Sequence, residues 1–426
     1  MSTVDAGSAV MVKWRKGDVS HMKRFLCLLL LLLLLPAAAL ADSPADPVLM
    51  PIAPETLPQG RYYHLGGSRI LVHSDGDDPL LIYDLDTGES IVVKPREEDL
   101  DLWVAYYVAS LSAEGEIFTA EDIEQLRNQP LNKLMDFLLA YVCIPQPYSI
   151  SVEYAALYEG FLLNRHTGVI TFIPEGLFAN EFTSWNTFLS TNEAHTACLQ
   201  YDLNGQLLNT ASFEGNDHQL WGVVPLKDGA LAMLYLTDKE NQKTHYQFVL
   251  LDKELHVQQV IDAGSHHNQW LDLYAAHLYE ENGRLLLSAR GIAFSTNSKA
   301  MENGKIVIKK VPNGPYLDGL LLIDTETSEV HSLDVATSFL ASSDGSYVLL
   351  PAPSEERLLR LDMKTGLITE QMSTSEVRST FKPYLDWYER NGLSVGVPIY
   401  SLSWDGGEYA VTPWMVFRVV ERSSNP

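Results

Sequence analysis

The chain has 426 residues, with 30 Lys+Arg against 55 Asp+Glu and a formal net charge of −25. Such a surface repels phosphate backbones, so nucleic acid is not an expected partner, whereas cations and basic molecules are favoured. The hydrophobic fraction of 46% is that of a globular chain rather than a disordered one, and the length suffices for one large domain or two ordinary ones.

Met22-Lys23-Arg24 opens a basic segment, Phe25–Leu35 is unbroken apolar sequence, and Ala39-Leu40-Ala41 places small residues where a cleavage site needs them. This order predicts a secretory signal peptide over 22–41 and a secreted or periplasmic protein. A membrane-spanning helix needs about 20 apolar residues, more than this run supplies, and no second stretch is longer. Residues 1–21 precede a complete signal and read as an extension upstream of the true start, Met22. Cleavage after Ala41 leaves residues 42–426 as a single domain with 25 basic and 53 acidic residues. Cys27 is removed with the signal. Cys143 and Cys198 remain, either as a disulfide allowed by export or as two buried thiols. Without a CxxC pair, neither a zinc ribbon nor a thioredoxin-like site is expected.

One pattern then recurs along the chain: an apolar strand, an Asx-rich turn often ending in Gly, and a second strand. It occurs at Leu81–Gly88, Phe161–Gly168, Leu199–Gly205, Val249–Leu255, Leu321–Ser328 and Leu359–Gly366. Each copy reads as a β-hairpin whose Asp can bond its own turn backbone while Gly takes the positive φ. A second Gly turn lies upstream of most copies, at Asp228-Gly229, Asn282-Gly283, Asp344-Gly345 and Asp405-Gly406. Trp103, Trp185, Trp221, Trp270 and Trp387 stand where the first strand of each unit is expected. Joined in order, these signals predict an all-β fold: a β-propeller of about seven four-stranded antiparallel blades. The last segment, 393–420, has sequence for strands A to C only. A strand from 47–53 is expected to supply the fourth and close the ring.

On these motifs the chain, over roughly 47–422, resembles the WD-repeat, TolB-like and YVTN-type propeller groups. The resemblance implies architecture and carries no function, and the regular Gly-His…Trp-Asp signature of WD repeats is missing. Two segments break the β rhythm. Residues 119–142 read as a helical insert with Thr119 as N-cap. Residues 374–389 read as a shorter helix with Val377, Phe381, Tyr384 and Trp387 on one side, which would place Trp387 in the insert rather than in a strand. Residues 294–317 read as a long B–C excursion carrying Lys299, Lys305, Lys309 and Lys310.

Ligands of propellers generally meet the loops between strand D of one blade and strand A of the next. Two of these loops share a motif, Gly215-Asn-Asp-His-Gln-Leu-Trp221 and Gly264-Ser-His-His-Asn-Gln-Trp270, both Gly-x-x-His-x-x-Trp. The spacing sets His218 beside His267 near the channel mouth, with His266 and Asp217 close by and Trp221 and Trp270 as further ligand contacts. His218 and His267 are candidate ligands for a divalent metal, or an acid–base pair, since imidazole titrates near neutrality. Hydrogen bonding to a neighbouring blade is the plainer reading of the same residues.

There is no GxSxG, HExxH, P-loop or GxGxxG motif. Pyrroloquinoline quinone is not expected, because Gly88, Gly168 and Gly366 lack the following Gly-x-x-x-Trp docking repeat that quinone-dependent propellers carry. The leading expectation is an exported, monomeric, non-enzymatic binding or scaffolding propeller that takes a protein or small ligand at the channel mouth. The rival is a hydrolase or lyase acting there, with metal assistance, on a small molecule, sugar or peptide.

Overall fold

Alternation of apolar and polar residues, cut by Asx-Gly turns, produces short antiparallel strands, and these group into seven four-stranded blades in the computed structural model. The structure describes residues 46–422 apart from 75–78, 114, 116, 129–146, 158–159, 175–176, 178–179, 304, 353–355, 393–396 and 398. The expected signal segment, Cys143 and positions 129–142 of the first helical insert lie outside the described residues.

Blade 1 spans Arg61–Val92, blade 2 Pro147–Phe172, blade 3 Glu181–Ser212 and blade 4 Gln219–His266. Blade 5 spans Asn268–Leu333, blade 6 Leu340–Met372, and blade 7 joins Ser403–Arg422 to Asp46–Pro51. Lys94–Pro95 adds a parallel fifth strand to blade 2.

All six repeated hairpins are C–D turns, and their chemistry repeats. The side-chain oxygen of Asp84 accepts from the Asp86 and Thr87 amides. Asn164 does the same for His166 and Thr167, and Asp324 for Glu326 and Thr327. A left-handed residue ends each turn. It is glycine at 88, 168, 205 and 366, but Leu255 (φ 64°) and Ser328 (φ 62°) take the same conformation at the cost of strain.

The ring closes as expected. Strand 46–51 is the outermost of blade 7, beside 415–422, and the Ile52 amide donates to the Val416 carbonyl at 3.0 Å. Leu49 is buried in a cluster with Met415, Phe417, Phe381 and Tyr384. The helix 374–390 covers this closure. Ser373 and Glu376 cap it reciprocally, and Val377, Phe381, Tyr384 and Tyr388 form its buried side. The Tyr384 hydroxyl donates to the Val416 carbonyl at 2.9 Å and accepts from the Val416 amide at 3.0 Å. Trp387 belongs to this helix, packed against the same cluster.

Two tryptophans expected to begin strand A do not. Trp103 lies in a helix, 100–113, that the β-branched and aromatic composition of the segment disguised. It is buried, and its ring stacks on Phe161 at 5.1 Å and meets Phe172 at 4.4 Å, so it packs on the outer strands of blade 2. Trp185 sits in the A–B turn of blade 3, under the Lys253 ammonium at 5.7 Å. Thr119 does cap a helix, 120–127, with Asp122 completing the capping box. Cys198 is a buried thiol with no disulfide among the described residues, and burial pushes its pKa up to about 12.

Blades 4 and 5 are longer than the rest. Strands B, C and D of blade 4 each have 10 residues, and strands A and B of blade 5 have 12 and 10. Residues 229–234 of blade 4 strand B are buried, whereas 235–238 emerge from the core. The extra length therefore stands on the face that carries the B–C and D–A connections. The 295–302/305–312 hairpin, an inserted B–C excursion of blade 5, continues on that face.

Replacing Ser328 by Gly should relieve left-handed strain and raise stability by up to about 1 kcal/mol in urea melts. Leu49→Asp should cost at least about 3 kcal/mol in the same assay, because a carboxylate would be buried at the ring closure.

Candidate functional site

The emergent parts of blades 4 and 5 enclose a cleft of about 730 Å³. Strand A of blade 4 and the loop before it supply Asp217, Gln219 and Trp221. Strands B and C supply Tyr235, Thr237 and Tyr246, and strand A of blade 5 supplies Gln269 and Trp270. Gly215 (φ 83°) takes a left-handed turn in the loop before strand A of blade 4, whereas Gly264 (φ 76°) sits at a bulge within strand D of blade 4, opposite Tyr246. Each motif delivers its Trp to the same wall of adjacent blades.

Trp221 is 40% exposed, yet its indole is fixed. Its Nε1–H donates to Asp272 Oδ1 of blade 5 at 2.9 Å, and the ring meets Tyr235 edge-on at 5.2 Å. The Tyr235 hydroxyl in turn donates to Gln219 Oε1 at 3.1 Å. At the base lies Tyr246, 1% exposed, whose hydroxyl meets no standard hydrogen-bond geometry among the described residues, although the Thr244 hydroxyl interacts with it. Leaving a buried hydroxyl weakly paired costs up to roughly 1–3 kcal/mol, a cost that a polar atom reaching it through the cleft wall would recover. Burial raises the pKa of Tyr246, so it stays a neutral donor at physiological pH.

The histidines are arranged differently from the expected pair. His218 Nε2 meets Nδ1 of His245, in strand C of blade 4, at 2.8 Å, and His245 Nε2 meets Asp262 Oδ1 at 3.0 Å. The other ring nitrogen of His218 faces Asn216 Oδ1 at 3.2 Å. His267 instead directs Nδ1 to the Gln242 carbonyl at 3.1 Å and packs on Gly314, where any Cβ would meet its ring. His266 Nε2 donates to the Ala263 carbonyl at 2.8 Å. His218 and His267 therefore have separate partners, and His267 ties the blade 4 B–C turn to the base of the blade 5 hairpin.

Proton counting describes what the His218–His245 array can do. Its two ends rest on acceptors, Asn216 Oδ1 and Asp262, and the central contact needs one proton. Three N–H groups on two rings require one imidazolium. Burial and the neighbouring His245 both hold the pKa of His218 below the ordinary value. Both nitrogens of His218 are engaged within the array, and the side chain that it leaves facing the cleft is that of Asp217. Among the described residues, the one cluster of three side chains with metal-ligand spacing is Asp252, Glu254 and His256, on the blade 4 C–D turn and away from the cleft. Asp252 there also accepts from the Glu254 and His256 amides, as its turn requires.

No protein-family profile and no curated protein sequence matches the chain. Among solved structures it is similar to hydrazine synthase of Kuenenia stuttgartiensis, at 12% identity, with 85% of this chain and 95% of that one covered and a TM-score of 0.36. It is similar also to the Swd1 β-propeller domain of Myceliophteria thermophila, at 12% identity, 74% and 87% coverage and a TM-score of 0.32. A third is a putative 6-phosphogluconolactonase of Bacteroides fragilis, at 11% identity, 76% and 94% coverage and a TM-score of 0.26.

His64, His218, His266 and His277 all have pKa values below the ordinary 6.5, with burial as the main cause in each. They stay neutral in the folded state at pH values where the unfolded chain already binds protons. Stability should therefore fall as pH drops through the ordinary histidine range, and be regained on return to neutrality. Urea midpoints at pH of about 7.5 and 5.5 test this, and a flat profile would contradict the burial of these rings.

Proposed function

We propose that this is an exported, non-enzymatic binding propeller, and that its ligand site is the cleft across blades 4 and 5. The observation that carries the reading is a cleft with the aromatic sides Trp221, Tyr235 and Trp270 and the polar groups Asp217, Gln219, Thr237 and Gln269 set between them. Export is supported by the sequence of 22–41.

The cleft's chemistry favours a small, neutral, polyhydroxylated ring compound. Indole and phenol faces stack on the apolar C–H face of such a ring, while Gln219, Gln269, Asp217 and Thr237 offer donors and acceptors to its hydroxyls. Asp217 and the chain's net charge of −25 select against anions. Trp221 is held in place before any ligand arrives, so little ordering cost accompanies binding.

Titration with neutral mono- and oligosaccharides, followed by tryptophan fluorescence, tests the reading. At least one should bind saturably. Trp221→Ala and Trp270→Ala should each weaken it by on the order of tenfold or more, without loss of folding. If no sugar perturbs the fluorescence, or if these variants bind as the native chain does, the assignment fails.

A further inference from the structure

The hairpin formed by Ser295–Glu302 and Lys305–Pro312 makes a two-stranded sheet of its own, paired with no blade. Directly opposed residues share a face, so Met301 opposite Ile306 and Lys299 opposite Ile308 place three aliphatic side chains together. These are far more exposed than core residues of the same types, Met301 at 71%, Ile306 at 68% and Ile308 at 62%. Around them the hairpin carries Lys299, Lys305, Lys309 and Lys310 against the single acid Glu302, a net charge of +3 in a chain whose total is −25. Lys299, Lys305 and Lys310 are exposed and make no ion pair among the described residues.

An isolated hairpin with exposed isoleucines is a liability for solubility unless something covers it. From this combination we infer that the hairpin is a docking element for an anionic lipid surface. Charge complementarity selects an anionic target, because the hairpin reverses the sign of the rest of the chain. The residue types select a bilayer over a protein. Protein hot spots draw on Trp, Tyr and Arg set into shaped pockets, and residues 295–312 contain none of these three. A lipid interface asks only for aliphatic depth and flexible ammonium groups that reach back to headgroups, which Met, Ile and Lys supply.

The acidic body does not forbid the contact. Eight-residue strands extend roughly 25 Å. Lysines near the tip therefore stand more than one Debye length of about 8–10 Å from the blade. The hairpin springs from the face that carries the cleft, and Phe294 at its base lines that cleft, so docking would turn the cleft's face toward the bilayer. The inference does not depend on what the cleft binds.

Flotation of the full chain with phosphatidylcholine vesicles, with and without about 30 mol % phosphatidylglycerol, is the test. The native chain should float with the anionic vesicles only, and the bound fraction should fall as salt is raised from about 0.1 to 0.5 M. Two triple variants, Met301→Ser/Ile306→Ser/Ile308→Ser and Lys299→Glu/Lys305→Glu/Lys310→Glu, should each lower binding on the order of tenfold with unchanged thermal melts. Failure of the native chain to float with anionic vesicles overturns the inference, as does equal binding by the charge-reversed variant. Self-association in sedimentation that the serine variant abolishes, without vesicle binding, would overturn it in favour of a second copy as occupant.

Discussion

The pairing of strand 46–51 beside 415–422 is the constraint on which the rest of the structure depends. Each blade is a twisted sheet whose two faces are both apolar, and each is covered by its neighbours. An open ring would expose one face of a terminal blade and an unpaired edge together. Closing blade 7 with a strand from the other end of the chain removes both. The helix 374–390 secures the closure. Its Tyr384 bonds both polar groups of Val416, the residue whose carbonyl also receives the Ile52 amide.

A closed ring is rigid enough to let two blades grow beyond it. Blades 4 and 5 do so together, and their emergent ends hold each other. The Trp221 indole bonds Asp272 of the next blade, Thr244 donates to the Asn268 carbonyl at 2.7 Å, and His267 reaches back to Gln242. Such cross-blade bonds fix aromatic side chains that would otherwise collapse onto one another. The cleft is thus preorganised, with the Trp221 indole already held at its wall. The nearby His218–His245–Asp262 array is a closed set of mutual contacts: its nitrogens bond within the set rather than toward a bound molecule.

Much of the architecture was legible because its signals are local. An Asp or Asn that bonds the amides two and three residues ahead writes the same turn at 84, 164 and 324, and the six copies marked the C–D hairpins correctly. The shared Gly-x-x-His-x-x-Trp motif also placed Trp221 and Trp270 on strand A of successive blades. Contacts made by register and helix packing were not legible. His245 meets His218 because strand C of blade 4 already begins at Lys243 and pairs residues 243–246 with the emergent 235–238 of strand B, and nothing around His245 marks that start. Trp103 looked like a strand residue because Leu-Trp-Val-Ala-Tyr-Tyr-Val has high β propensity, and its burial against Phe161 and Phe172 overrides that preference. The alternation over 243–248, which runs into Val249-Leu250-Leu251, is the signal that would have led to Tyr246.

Crystals soaked with a panel of neutral ring compounds of the sugar type offer the most direct measurement of the central claim. The expected result is density stacked against Trp221 or Trp270, with its polar atoms on Gln219, Gln269, Asp217 or Thr237. Compounds bound elsewhere on the propeller, with the cleft filled by solvent alone, would contradict it.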